Sequence, residues 1–334
     1  MVREDLDTSR PLTMPRPTIL VVGSLNADLI TRTSRIPAPG ETLTSLSFDT
    51  GSGGKGANQA VACARLSRRR DAVEQGDVLV RMVGAVGDDI FGHDLLAGLR
   101  KDGVDITGVK IQTGEKTGVA TIIVEEQTGE NRILFSPNAN YTLKPEDFTS
   151  LPEPLPDVIV LQLEIPLDTV LQILKIAHEK KIQVIFNPAP ATALPEETYR
   201  CITHLIVNES EAMILSSDTS DQSLREGALI RTVDHFRNLG VTHVTITLGS
   251  RGAFFSRGPN YAEWPACEAK VVDTTAAGDT FVGAYAVEVA KHLGKGSDRA
   301  EFDIVEAVKF ARKAAAKTVE RKGAQAAIPW RDEV

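Results

Sequence analysis

Residues 50–62 read TGSGGKGANQAVA. A glycine-rich turn feeds directly into Ala57-Asn58-Gln59-Ala60-Val61-Ala62, the start of a helical pattern over 57–67. The stretch before it, 31–50, reads as strand with mixed polar faces. Strand, small-residue turn and helix are the repeating parts of an α/β protein. The turn has the look of a nucleotide phosphate loop, G-x-x-x-x-G-K-[ST]. It fails that pattern twice: Asp49 stands where the first glycine belongs, and Gly56 replaces the hydroxyl residue that holds Mg²⁺. A flexible Gly/Ser linker is the plainer alternative, but a linker does not run straight into a helix. A glycine-rich turn at a helix start presents free backbone N–H groups to a ligand. The loop is expected to be a ligand site, of a kind that these residues alone leave open.

Outward from this stretch, short apolar runs alternate with helical patterns. Thr18–Val22, Arg81–Val86, Val158–Leu163, Gln183–Phe186, His204–Val207 and His243–Leu248 read as strands. Helical spacing is clearest near 90–101, 278–293 and 303–320. This alternation predicts a mainly parallel sheet covered by helices on both faces. Two segments, 31–50 and 117–136, break the pattern; Thr128-Gly129 in the second has the chemistry of a hairpin turn. Paired with each other, they would form one small sheet beside the main domain, a lid or a dimer contact; plain edge hairpins are the alternative. Residues 67–78 (SRRRDAVEQGDV) are predicted to be a solvated surface loop.

A chain of 334 residues with 42% apolar and 25% charged residues suits a soluble globular protein with a substantial core. A net charge of −8 argues against a nucleic-acid partner. An anionic substrate such as ATP then needs local positive groups, helix N-termini or metal ions. The three cysteines, Cys63, Cys201 and Cys267, have no metal spacing and suit a reducing, cytoplasmic or nuclear, compartment. No apolar run approaches the ~20 residues that span a bilayer. Residues 1–17 lack the apolar core of a signal peptide and are expected to form a loosely ordered tail.

Residues 271–284, VVDTTAAGDTFVGA, carry the second local signal. A β-rich stretch through Asp273-Thr274-Thr275 gives way to Ala276-Ala277-Gly278, which leave room for a ligand against the backbone. Asp279 follows at or near a helix start, beside a cluster of free N–H groups. Asp279 as a simple N-cap is the alternative, but a cap needs no such clearance. N–H donors to neutralise developing charge and a carboxylate to take the proton of an attacking hydroxyl suit γ-phosphoryl transfer. Thr247-Leu248-Gly249-Ser250-Arg251-Gly252 and Asn208-Glu209-Ser210-Glu211 both follow strands, where ligands bind in open α/β sheets. A tight turn explains the first equally well, and a helix cap with first-turn acids explains the second.

These residues, in this order, resemble the PfkB sugar-kinase family in its ribokinase branch. The resemblance runs from about Thr18 to Trp330 through GSLNADLI (23–30), PGET (39–42), GGKGANQA (53–60), GDD (87–89), LQLE (161–164), NPAPA (187–191), VNESEA (207–212), TLGSRG (247–252), DTTAAGDTF (273–281) and RKGAQ (321–325). It implies a three-layer α/β/α fold with a small β-sheet lid built from about 31–50 and 117–136, one kinase domain over 18–334, and transfer of phosphate from ATP to the 5-hydroxyl of D-ribose. The 50–59 loop then holds sugar, not nucleotide: Asn26, Ala27, Asp28, Gly54, Lys55, Gly56, Ala57, Asn58 and Glu164 form the sugar pocket, with Asp279 as general base. Ala276, Ala277 and Gly278 supply the anion hole. Asn208, Thr247, Leu248, Gly249, Ser250, Arg251, Gly252, Gly278, Asp279 and Arg312 border ATP, and Glu211 helps to place Mg²⁺ through water.

The resemblance also implies a monovalent-cation site, usually K⁺, at Asp273, Thr275, Thr318, Arg321, Gly323 and Ala327, and a homodimer through the lid. Ala327 stands where relatives often carry Ser, and Arg312 where a His often borders the adenine. A PfkB-type kinase for another sugar or a nucleoside, 2-deoxyribose for example, is the runner-up. A catalytically dead sugar-binding regulator would have lost the base or the anion hole, and neither is lost. An NAD-dependent dehydrogenase would need G-x-G-x-x-G after the first strand, which Gly23-Ser24-Leu25 does not provide.

Overall fold

The computed structural model describes residues 16–128, 130–217, 226–296 and 302–334. In chain order the strands are β1 (Thr18–Val22), β2 (Asn26–Thr33), β3 (Ser47–Gly53), β4 (Leu79–Gly87), β5 (Asp105–Gln112), β6 (Gly118–Glu125), β7 (Asn131–Ser136), β8 (Val158–Leu161), β9 (Gln183–Phe186), β10 (His204–Asn208), β11 (His243–Thr247), β12 (Ala253–Arg257) and β13 (Asn260–Trp264). The helices are α1 (Lys55–Leu66), α2 (Ile90–Lys101), α3 (Leu167–Glu179), α4 (Glu196–Tyr199), α5 (Glu209–Ser216), α6 (Glu226–Asn238), α7 (Ala277–Gly294) and α8 (Ile304–Val319).

A nine-stranded sheet runs in the order β13-β12-β11-β10-β9-β8-β1-β4-β5. From β11 to β5 all neighbours are parallel; β12 and β13 are an antiparallel edge. β1, β8 and β9 are buried along their whole length, as their unbroken apolar runs require when helices cover both faces. Alternate side chains divide between two cores. Ile19 and Val21 pack under α1, α2, α7 and α8, whereas Leu20 and Val22 pack under α3, α5 and α6. This is the three-layer α/β/α architecture.

A separate four-stranded sheet, β3-β2-β6-β7, carries the two segments that broke the alternation. They do pair with each other, β2 lying parallel to β6. Their limits differ from the expected ones: β2 starts at Asn26, residues 34–46 form no strand, and β3 runs into the glycine loop as far as Gly53. The predicted Thr128-Gly129 turn lies partly outside the described residues, at 129.

Three other expectations need correction. Residues 271–276 form no strand: Asp273 accepts hydrogen bonds from the N–H (2.9 Å) and hydroxyl (2.7 Å) of Thr275, which turns the chain instead. The 67–78 segment is not simply a solvated loop. Arg68 is 7% exposed and donates to the carbonyls of Val73 (3.1 Å), Val78 (3.1 Å) and Gly103 (2.9 Å). A guanidinium carries five donors, and this loop folds round them. Of the expected 1–17 tail, 1–15 lie outside the described residues. Pro17 belongs to the body, its carbonyl accepting from the N–H of Leu79 at 2.9 Å.

At the end of the sheet away from α7's first turn, His204 is buried between the Tyr285 hydroxyl (Nδ1, 2.9 Å) and Gln183 Oε1 (Nε2, 3.1 Å), and His243 stacks on it at 4.7 Å. Burial, then the neighbouring His243, pushes His204 well below the ordinary histidine range. Burial, then Arg237, pushes His243 down to about 4. Both rings are neutral in the fold, while the unfolded chain takes up protons below about pH 6.5. Their contribution is therefore complete above pH 6.5 and lost as pH falls toward 4. In calorimetry the wild type should lose several degrees more of Tm between pH 7 and 4 than His204→Gln/His243→Phe; equal losses would refute the assignment.

Candidate active site

The candidate site forms where the N-termini of α1 and α7 meet. Gly54, at φ 87°, is the N-cap of α1; a Cβ there would lie 2.7 Å from the Asn26 nitrogen. A Cβ on Gly56 would lie 2.6 Å from backbone atoms of Gly23 and Ser24, and one on Gly53 within 2.3–2.5 Å of the Asp28 carboxylate. These glycines let the loop press against β2, so the polar groups of both face one space. Asn58 and Gln59 then follow on the first turns of α1 and point at α7.

Glu164, just past β8, ties the pocket together. Its Oε2 accepts from the Ser24 hydroxyl (2.6 Å), the Lys55 N–H (3.0 Å) and Asn26 Nδ2 (3.3 Å). Asn26 in turn accepts at Oδ1 from Asn140 (2.7 Å), which also bonds both the N–H (2.9 Å) and the carbonyl (3.2 Å) of Leu25. Asn58 Nδ2 donates to Asp279 Oδ2 at 2.9 Å and leaves its own buried Oδ1 without a partner. The structure thus brings Asn26, Asp28, Gly54, Lys55, Asn58, Glu164 and Asp279 into one polar pocket. Ala27, Gly56 and Ala57 are packed and buried, and can offer a ligand only backbone atoms.

Asp279 is the third residue of α7, not its cap; the cap is Ala276, held in the left-handed region at φ 59°. The first-turn N–H groups of a helix have no intrahelical partner, and around Gly278 the space is open. Asp279 is 7% exposed beside them. Here a carboxylate meets a set of N–H donors at the carboxyl ends of the parallel strands, where α/β sheets bind ligands.

Two clefts join at this point. One, of about 410 Å³, is lined by Lys55, Asn208, Glu209, Glu211 and Asp279 among others. The second, of about 650 Å³, has largely apolar walls that include Ala266, Val271, Phe281, Ala315 and Arg312. They share Thr247, Gly249, Thr274 and Gly278. Ser250 and Gly252 also line the apolar cleft. Leu248 is buried in the core, and Arg251 pairs with Glu209. Arg312 lies over the Trp264 ring at 4.9 Å and donates to the Pro265 carbonyl.

Asn208 and Glu211 form a capping box on α5: Asn208 Oδ1 accepts the Glu211 N–H at 2.8 Å, and Glu211 accepts the Asn208 N–H at 2.9 Å. The cap reading of this motif is therefore correct as local structure, and both residues still face the cleft. Burial raises the Glu211 carboxyl above its ordinary range.

Of the residues expected at the cation site, Asp273 accepts from the Gly323 N–H at 2.9 Å, so 273–275 and 321–323 are held together. Thr318 Oγ1 bonds Thr280 Oγ1 (2.9 Å) and the Ala314 carbonyl (3.2 Å); Arg321 pairs with Glu333 at 2.8 Å; Ala327 is fully buried. Among the described residues no group of three or more His, Cys, Asp or Glu side chains is placed to hold a metal ion, and no helix is long and apolar enough to cross a membrane.

Ser24, Gln59, Asn140, Gln162 and Asn187 were assigned no role above, although all but Asn140 stand inside quoted motifs. All are buried polar side chains, and a buried amide is conspicuous only once its partners are known.

Electrostatically the pocket is acidic, with one cation in it. Burial alone would lower the Lys55 ammonium, but Asp279, Glu164 and Glu211 together hold it above the ordinary lysine value. Burial first, then Glu164 and Asp279, pushes the Asp28 carboxyl up to about 7. A ¹³C-carboxyl NMR titration should show Asp28 with a midpoint near 7. Glu164→Gln should lower that midpoint only in part, because burial is the larger cause. A wild-type midpoint in the ordinary range near 4 would refute this account.

A model of the pfkB family carbohydrate kinases matches residues 16–331. The ribokinase of Schizosaccharomyces pombe is 43% identical, over 93% of this chain and 94% of that one. The crystal structure of the Thermotoga maritima ribokinase superposes with a TM-score of 0.80 at 37% identity, covering 95% of this chain and 97% of that one. The Arabidopsis thaliana ribokinase, solved with ribose and ATP, superposes with a TM-score of 0.77 at 29% identity, covering 96% and 97%. The chain belongs to the pfkB family of carbohydrate kinases.

Proposed function

We propose that this chain is a ribokinase that transfers the γ-phosphoryl group of MgATP to the 5-hydroxyl of D-ribose, giving D-ribose 5-phosphate and ADP. The observation that carries the reading is the position of Asp279. It stands at the joint of a polar pocket and an apolar cleft, beside the open first turn of α7. Sugar fits beside Asp279 on the β2 side: Asn26, Asp28, Asn58 and Glu164 offer a polyol fixed donors and acceptors, held in place by the Lys55, Gly56 and Ala57 N–H groups that bond Glu164 and Ser24. A hydroxyl missing from such a site leaves a buried group unpaired, which is costly and therefore selective. Adenine fits the apolar cleft, among small apolar side chains and Arg312, with Asn208, Thr247 and Gly249–Gly252 along the phosphates.

In the reaction Asp279 takes the proton of the 5-hydroxyl as its oxygen attacks the γ-phosphorus. The bond from that phosphorus to the bridging oxygen of ADP breaks. The N–H groups of Ala276, Ala277 and Gly278, with Lys55, meet the negative charge that develops on the transferring group. Glu211, whose carboxylate bonds the Asn208 N–H, would help to hold the Mg²⁺ of MgATP through water, and the ion would offset charge on the phosphates.

The segments carrying Asp273, Thr275, Thr318, Arg321, Gly323 and Ala327 fit a K⁺ site made of backbone carbonyls, which any residue supplies. Ala327 cannot add a side-chain oxygen, so K⁺ activation should be weaker than with Ser. When bound, the ion would brace the turn that leads into the anion hole.

ADP release with ribose, 2-deoxyribose, fructose or adenosine, each in K⁺ and in Na⁺, tests the reading. Ribose should be preferred, with a modest gain in K⁺. Asp279→Asn should bind ribose almost as the wild type does and turn over at least about 10³-fold more slowly. Turnover of another sugar but not ribose would keep the kinase and discard the ribose pocket.

The lid exposes Leu46 (59%), Phe48 (59%), Ile133 (57%) and Leu134 (68%). Apolar side chains in such number on a small sheet suit a contact with a second lid, and we read the chain as a homodimer through it. Sedimentation should give a dimer for the wild type and a monomer for Leu134→Asp; a wild-type monomer at micromolar concentration would remove the lid contact.

A further inference from the structure

Behind Asp279 runs a chain of buried amides. Gln59, fully buried on α1, donates from Nε2 to Asp279 Oδ1 (3.0 Å) and to Asn187 Oδ1 (3.1 Å). Its Oε1 accepts from Nε2 of Gln162 at 2.7 Å, also fully buried. Asn187, just past β9, donates from Nδ2 to the Ile206 carbonyl in β10 at 2.9 Å. The four side chains come from α1, α7 and the ends of two central strands.

The polarity of this chain is fixed from outside. The Ile206 carbonyl can only accept, so Asn187 must turn Nδ2 toward it and Oδ1 toward Gln59. A donor must then face Asn187 Oδ1, which puts Nε2 of Gln59 there. The second hydrogen of that same nitrogen points at Asp279 Oδ1. Gln162 closes the set by donating to Gln59 Oε1, so Gln59 cannot reverse its amide without losing three bonds. Both oxygens of Asp279 are thus held as acceptors, Oδ1 by Gln59 and Oδ2 by Asn58, whose own buried Oδ1 has no partner.

We propose that Gln59, oriented by Gln162 and Asn187, is a positioning residue: its fixed donor holds Asp279 Oδ1 as an acceptor and the carboxylate in one rotation, ready to take the substrate hydroxyl proton. The inference rests on the proposed role of Asp279 as base. It assigns the base a fixed rotation, set by a fully buried pair, Gln59 and Gln162.

Kinetics of Gln59→Leu, Gln162→Met and Asp279→Asn, each over pH 5–9, test it. Gln59→Leu removes the donor, and donors to a carboxylate favour its ionised form. Its kcat should fall about tenfold to a hundredfold with KM for ATP unchanged, and the acid limb of its kcat profile should move to higher pH. Gln162→Met removes one of the three bonds that hold the Gln59 amide and leaves those to Asn187 and Asp279, so it should shift the same limb less. A merely structural role would lower thermal stability, or kcat and KM together, without moving the limb, and that result overturns the proposal. If Gln59→Leu does not fold, Gln162→Met decides: an unmoved limb is again a refutation. If Asp279→Asn keeps turnover, the base assignment falls first; if it loses turnover and neither glutamine variant moves the limb, only this inference falls.

Discussion

The site exists because two helices approach more closely than ordinary side chains permit. A Cβ on Gly283 of α7 would lie 2.4 Å from the Cβ of Ala62 on α1. Cys63, buried next to Ala62, brings its Sγ within 3.6 Å of the Gly283 carbonyl. With a glycine and an alanine at the crossing, the helix backbones nearly touch, and their N-terminal turns come level. Only then can Asn58 and Gln59 on one helix reach the two oxygens of Asp279 on the other. The first-turn N–H groups of α7 and the glycine turn before α1 face the same space for the same reason. Small residues here do the work of orientation that larger ones elsewhere do by filling volume.

That closeness has an electrostatic consequence. Asp28, Glu164, Glu211 and Asp279 surround a single ammonium, and the chain carries a net charge of −8. A phosphate ester would be repelled by such a set unless something faced it with positive charge. Lys55 and the N-terminus of α7 line the cleft together with Glu211 and Asp279, whereas Asp28 and Glu164 lie beside β2. The field therefore divides the site: hydrogen-bond acceptors for hydroxyl groups at one end, donors for an anion at the other. Of the two cavities, the apolar one suits a flat heterocycle, since its walls are alanines, valines and a phenylalanine. Division of labour between the clefts follows from which backbone ends face each of them.

Much of this could be read from the chain. Apolar runs such as TILVV at 18–22 can only be strands covered on both faces, and the GGKGAN and AAGD stretches announce tight approach by their lack of side chains. Three things could not be read. Arg68 looks like one of a run of surface arginines, yet it is the centre round which its loop folds, because its carbonyl partners at 73, 78 and 103 are distributed along the chain. The first lid segment was expected to begin at 31, beyond Asn26-Ala27-Asp28; instead Asn26 and Asp28 are themselves lid residues, since pairing with β6 begins at Asn26↔Gly118. The amides behind Asp279 carry no local pattern at all. The partners of Gln59 lie 103 to 220 residues from it in sequence, and periodicity reports only on neighbours within a turn or two of a helix.

The lid is thus not an independent flap. Where it leaves the body, its two central strands are held by side chains from the main domain. Asp89, the N-cap of α2, accepts from both the N–H (2.8 Å) and the hydroxyl (2.6 Å) of Thr117, one residue before β6. Asn140 holds the Leu25 peptide, one residue before β2, by both its N–H and its carbonyl, as a neighbouring strand would. Gly118 is required between them, because a Cβ there would lie 2.2 Å from Asn140 Nδ2 and 2.3 Å from Asn26 Oδ1. A sheet fixed in this way at one end can swing only at the other. The fixed end carries Asn26 and Asp28; Phe48, paired with Thr31, lies toward the other end, and Leu134, opposite Thr121, lies mid-sheet. Polar groups on β2 and exposed apolar ones on β3 and β7 therefore share one sheet, with about 3.3 Å of rise for every residue of register between them.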